Sequence, residues 1–109
     1  EKMSKYFKEI EQNMDEDFLS KLDEAREFAG IPFSINSAYR SPEHTLSIKN
    51  PSSSHIKGLA VDIKATDSIT RFKIIESLIS VGFTRIGIAD TFIHVDMDYD
   101  KSQEVIWTY

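Results

Sequence analysis

The sequence predicts an α+β domain in which helices pack on one side of a small, mostly antiparallel sheet. Two observations carry that expectation. Apolar residues recur at helical spacing in the first third and again after residue 67, and four short stretches bounded by turn residues alternate as strands do. The order is helix, strand, loop, strand, helix, strand, strand, which segregates the helices against one sheet.

The first helix is carried by Phe18, Leu22, Ala25 and Ala29, and Gly30 followed by Ile31-Pro32 stops it. Met3, Phe7 and Ile10 extend the same spacing upstream, so Met3 to Met14 is also expected to be helical. "FSINSAY" alternates and predicts a strand from Phe33 to Ala38. Arg40 to Ser54 is polar, with Pro42, Asn50, Pro51 and the serine run Ser52 to Ser54, and reads as a long loop. Long ordered loops in compact domains often carry function.

"GLAVDIKA" is the next strand, with Leu59, Val61 and Ile63 on one face and Ala60, Asp62 and Lys64 on the other. Asp67 can cap a helix running to about Val81, whose stripe is expected at Ile69, Phe72, Ile75 and Ile79 before Gly82 ends it. "TRIGI" and "FIHVDMD" follow as two strands joined around Ala89-Asp90. In the second, Ile93, Val95 and Met97 alternate with Phe92, His94, Asp96 and Asp98. Trp107 and Tyr109 are expected in a final strand or lid, either as core or as the wall of a substrate groove.

At 109 residues the chain is expected to form one domain, residues 1–109, with one core. It is 40% apolar and 28% charged, an ordinary globular composition. A net charge of −5 argues against nucleic acid as a partner, because phosphate calls for a basic face. No apolar run approaches the roughly 20 residues of a membrane span, so no membrane insertion is expected. There is no cysteine, so a metal must be held by histidine, carboxylate or backbone oxygen. The first residue is Glu1, not methionine, as expected of a piece of a longer protein, and no signal peptide is visible.

Metal chemistry is what the polar residues offer. Asp62 and His94 each sit on the polar face of an otherwise apolar strand, and His55 ends the loop that feeds the first of them. If those strands are neighbours, the three side chains converge into two imidazoles and one carboxylate, a set that holds a catalytic zinc and leaves a position open. Taken singly, each has a plainer reading: a surface histidine, an exposed strand aspartate, and a histidine satisfied beside Phe92.

"SSHIKGLAVD" is similar to the S-x-H-x-x-G-x-A-x-D signature of the zinc D-alanyl-D-alanine carboxypeptidase family, with Ser53, His55, Gly58, Ala60 and Asp62 in the matching positions. That family includes phage L-alanyl-D-glutamate endopeptidases and shares its fold with the hedgehog signalling domain. "SAYRS" resembles the family's S-x-Y-R-S segment, and "FIHVD" its distal histidine strand. The likeness runs in order from about Phe33 to Tyr109.

The resemblance implies one Zn2+ held by His55, Asp62 and His94. It implies a peptidoglycan stem peptide as substrate, and a cell-wall setting as a phage lysin (endolysin) or a periplasmic or secreted enzyme. Arg40 matches the arginine that binds a substrate oxygen and supports the oxyanion, where an ion pair with Glu43 is the plainer alternative. Ser53 is expected to orient the loop or the substrate through its hydroxyl, or to be a turn serine. The chain departs from the family at the base. Many members place an acid or histidine two or three residues before the distal histidine, and Phe92 and Thr91 stand there. Asp96 is the expected replacement, as proton acceptor or as a partner that fixes an imidazole, with Asp90 as the other candidate and Glu43 and His44 behind them. A monomer is expected. A non-catalytic zinc module of the same fold and a metal-free phage structural domain are the alternatives.

Overall fold

The computed structural model describes residues 4–109. After a single 3-10 turn, Lys8–Ile10, come helix α1 (Glu16–Ala29), strand β1 (Ile35–Ser37), helix α2 (Thr45–Lys49), strand β2 (Ala60–Lys64), helix α3 (Ser68–Ser80) and strands β3 (Arg85–Ile88), β4 (Phe92–Asp96) and β5 (Val105–Thr108). The strands form one sheet in the order β1-β2-β4-β3-β5. Three neighbouring pairs are antiparallel, and β5 joins the edge parallel to β3. The fold is therefore α+β, as the element order predicts.

Both long helices begin where a short acidic side chain can satisfy their first free N–H groups. Asp15 accepts from the Phe18 amide at 2.9 Å, and Asp67 from the Thr70 amide at 2.8 Å. α1 ends at Gly30, whose φ of 69° is the left-handed cap that glycine adopts without strain. Its buried residues, Phe18, Leu19, Leu22 and Ala25, form one stripe.

β2 and β4 pair Val61 with Val95 and Ile63 with Ile93. These four side chains are fully buried, in a core shared with Phe18, Leu22, Ile74, Leu78, Phe83 and Ile86. Because side chains alternate along a strand, the same register sends Asp62, His94 and Asp96 to the opposite face of the sheet. One face is core, and the other carries the polar residues.

Four expectations need correction. Of the apolar stripe expected on α3, Ile75 packs partly against the core, but Ile69, Phe72 and Ile79 are 71%, 66% and 52% exposed, and Ile74, Ser77 and Leu78 are the buried residues. α3 has apolar residues on two faces, and spacing cannot say which one meets α1 and β4. The expected helix from Met3 to Met14 is only the 3-10 turn, with Phe7 and Met14 anchoring an irregular segment to the core; Met3 lies outside the described residues. The loop from Arg40 to Ser54 contains α2, five residues long and capped by His44, whose Nδ1 accepts from the Leu46 amide at 3.1 Å. Finally, the strand expected from Phe33 to Ala38 is confined to Ile35–Ser37, and its pairing with β2 shifts register within it, between Ile35 and Ser37.

Candidate metal centre

Asp62 and His94 are direct cross-strand partners of β2 and β4, which is the closest approach that two strands allow their side chains. His55 reaches them from a tight turn. The amides of Ile56, Lys57 and Gly58 donate to the carbonyls of Ser53, Ser54 and His55 in succession. Gly58 closes the turn with φ 72°, and a Cβ there would lie 2.2 Å from the Asn13 carbonyl oxygen. Its amide-bearing neighbourhood is locked from the other side too, where the Asp15 amide donates to the Gly58 carbonyl at 2.9 Å. The glycine of the signature is thus required by a left-handed backbone and by close contact with the N-terminal segment.

The donor atoms of His55, Asp62 and His94 lie within 4.8 Å of one another, and all three residues are buried. Asp62 Oδ1 is 3.4 Å from His55 Nε2 and 3.1 Å from His94 Nδ1. Each imidazole is held from behind through its other nitrogen. His55 Nδ1 donates to the Ala38 carbonyl at 2.8 Å, and His94 Nε2 donates to Asp96 Oδ2 at 2.7 Å. Those acceptors hold a ring proton on His55 Nδ1 and on His94 Nε2, which leaves His55 Nε2 and His94 Nδ1 as the nitrogens that face Asp62; neutral, they offer lone pairs to a cation, and protonated, they donate to the carboxylate. Two lone pairs and an anion converging in a buried space fit a divalent cation, and two imidazoles with one carboxylate suit zinc.

The charge state of the metal-free cluster reflects the same demand for positive charge. Burial pushes the Asp62 carboxyl up, but hydrogen bonds from His55 and His94 outweigh it and hold the group down at about 2. Burial lowers His94, and its contacts with Asp62 and Asp96 more than reverse this, leaving the imidazole more basic than usual. Asp96 is itself held low: burial raises it, but the His94 hydrogen bond and the Asp98 amide prevail.

Arg40 lies at the rim of the cluster. Its guanidinium is 3.6 Å from Asp62 Oδ2, its Nε donates to Ser37 Oγ at 3.1 Å, and its amide donates to the His55 carbonyl. Among the described residues its ion pair is with Asp62, not with Glu43. Ser53 Oγ accepts from the His55 amide at 3.3 Å, inside the turn. Asp96 is almost fully buried. Its Oδ1 accepts from Arg85 Nε at 2.7 Å and from the Asp98 amide at 3.1 Å, while Oδ2 is taken by His94.

The cluster opens into a cavity of about 390 Å³, also lined by Arg40, Ser53, Asp96, Lys101, Trp107 and Tyr109. Trp107 stands 5.5 Å from the His94 ring, Arg85 lies 4.9 Å over the Trp107 ring, and Tyr109 is 5.3 Å from Phe92. The terminal aromatic residues therefore wall the cavity and are not core. Asp90, Glu43 and His44 are absent from its lining, and the Asp90 carbonyl accepts from Arg71. Sequence reasoning missed Arg85, whose one signal was its place on the Gly87 face of "RIGI". A Cβ at Gly87 would lie 2.6 Å from Trp107 Nε1, so this glycine makes room for the indole.

A buried His-Asp-His cluster on the polar face of an α+β sheet, open to a cavity, defines the class: a domain whose sheet is placed to hold a metal ion. Its lineage is shown by a family model, Peptidase M15, which matches residues 1–96, and the chain belongs to that family. The family is one of zinc peptidases that act on peptidoglycan. No curated protein and no solved structure gives a match. Among the described residues, no helix is long and apolar enough to cross a membrane.

Proposed function

We propose that the protein is a zinc metallopeptidase that hydrolyses an amide bond in the stem peptides of bacterial peptidoglycan, as a D-Ala-D-Ala carboxypeptidase or an L-Ala-D-Glu endopeptidase. The observation that carries this reading is the convergence of His55 Nε2, an Asp62 oxygen and His94 Nδ1 at the floor of an open cavity. These three side chains would hold the metal. A zinc ion bound there would supply Lewis acidity, to polarise the scissile carbonyl and to acidify the attacking water.

The chain's own residues supply the rest. Arg40, pinned by Ser37 beside Asp62, offers its guanidinium to a substrate oxygen and to the negative charge that develops on it. Ser53 holds the His55 turn and presents its hydroxyl to the cavity. Trp107 and Tyr109 flank the peptide. For Asp96, both oxygens are already engaged, which supports its role as the anchor that makes His94 a better ligand; to accept a proton from water it would first have to release one of these contacts.

A second reading is favoured by one observation. Among the described residues lining the cavity the carboxylates are Asp62 and Asp96, and Phe92 and Thr91 leave no acid just ahead of His94. On this reading the domain is a zinc-binding module that recognises cell-wall peptide without cleaving it. The convergence of His55, Asp62 and His94 speaks against a metal-free structural role, and the zinc content of the purified protein tests it.

Muropeptide hydrolysis by zinc-loaded protein separates the two. Product that disappears in His55→Ala establishes the peptidase. Absence of product from protein holding one zinc per chain sinks the peptidase reading for this substrate and leaves the module.

A further inference from the structure

The geometry points to Asp98 as a positioning residue for the metal centre, a clamp that ties the His55 turn to the end of the strand bearing His94. This rests on the metal reading above. Asp98 lies two residues beyond β4, past the stretch matched by the family model, and is 1% exposed. A buried carboxylate is costly unless donors meet it, and here they come from the other ligand's turn. Ser54 Oγ donates to its Oδ2 at 2.8 Å and Lys57 Nζ to its Oδ1 at 3.0 Å; these two residues bracket His55. Lys101 Nζ closes the group, 3.7 Å from Oδ2 and 3.0 Å from Ser54 Oγ.

On its other side, the Asp98 amide donates to the same Asp96 carboxylate that anchors His94. One connected path therefore runs from His94 through Asp96 and Asp98 to Ser54, the residue before His55. Asp62 links the two imidazoles in front, and this path links them behind. Loss of the clamp loosens the placement of His55 Nε2 relative to His94 Nδ1, and a site that must be rebuilt on binding holds its ion less tightly.

The test uses purified protein stripped of metal and titrated with zinc against a competing chelator, with the visible spectrum of the Co2+ form recorded in parallel. Asp98→Asn is expected to weaken zinc binding several-fold, less than the roughly 10- to 100-fold loss when a partner in direct contact with a metal ligand is removed, and to alter the Co2+ absorption. Ser54→Ala should show the same effect more weakly. The double variant should bind no worse than Asp98→Asn alone, because both changes break one path. Should Asp98→Asn fail to fold, Ser54→Ala carries the test. Unchanged zinc affinity and Co2+ spectrum in the folded variant overturn the clamp, as do fully additive losses, and either result leaves the metal site standing. Failure of the unmodified protein to bind zinc overturns the metal reading and the clamp together.

Discussion

At the scale of single residues, the site separates atoms that would touch a metal from atoms that aim them. His55 Nε2 and His94 Nδ1 face Asp62, while their other nitrogens are committed to Ala38 and Asp96. His55→Ala deletes a donor, so calorimetric titration should find zinc affinity reduced by more than the roughly 10- to 100-fold expected for loss of a supporting partner. Asp96→Asn keeps an acceptor for His94 Nε2 but removes its charge. It should fall within that range, and a variant that binds as tightly as the parent would remove Asp96 from the site. Arg40→Lys keeps the charge and loses the planar fork fixed by Ser37, so on the peptidase reading it should lower kcat/KM with zinc content unchanged.

At the scale of elements, α3 and β5 show what packing decides. Ile74 is fully buried in the contact with α1 and β4, so Ile74→Ala should cost about 2–5 kcal/mol in denaturant unfolding. Phe72→Ser, on the exposed row of the same helix, should stay within about 0.5 kcal/mol. A large loss from Phe72→Ser with little from Ile74→Ala would mean that α3 is rotated from the orientation described. β5 brings Trp107 over Gly87, and Gly87→Ala would push a methyl group into the indole. Since Trp107 is the one tryptophan of the chain, its fluorescence should report that displacement directly.

For the whole molecule, the cluster couples folding to pH and to metal. Asp62, lowered to about 2 in the folded state, contributes stability that is complete above its unfolded value of about 3.9 and is lost as pH falls toward 2. His94 is raised, so its contribution is complete below about 6.5 and is lost as pH rises through the folded value. Metal-free protein should therefore melt at its highest temperature between about pH 4 and 6.5. Zinc requires neutral His94, so its affinity should climb with pH and move the optimum upward. At a free zinc concentration 100 times Kd, linkage adds about 2.7 kcal/mol. Equal melting curves with zinc and with chelator would contradict this.

Much of the molecule was legible in the sequence. Gly30 marked the end of α1, Asp67 and Gly82 marked the two ends of α3, and two strand-like runs placed the turn between β3 and β4 around Ala89-Asp90, because these signals act within a few residues. Alternation put Asp62 and His94 on polar faces, and the signature from Ser53 to Asp62 together with the histidine strand pointed to the cluster of His55, Asp62 and His94 that the fold brings together. The rest depended on contacts between distant segments. Two apolar faces on α3 are equivalent until α1 chooses Ile74 and Leu78. The occupancy of both Asp96 oxygens needs Arg85 from one strand and the Asp98 amide from beyond another, and the wall of the cavity needs β5 laid beside β3. Local patterns determine which residues can form an element or bind an ion. Which of them meet is decided only when the whole chain buries its apolar surface, because that energy is shared among segments far apart in sequence.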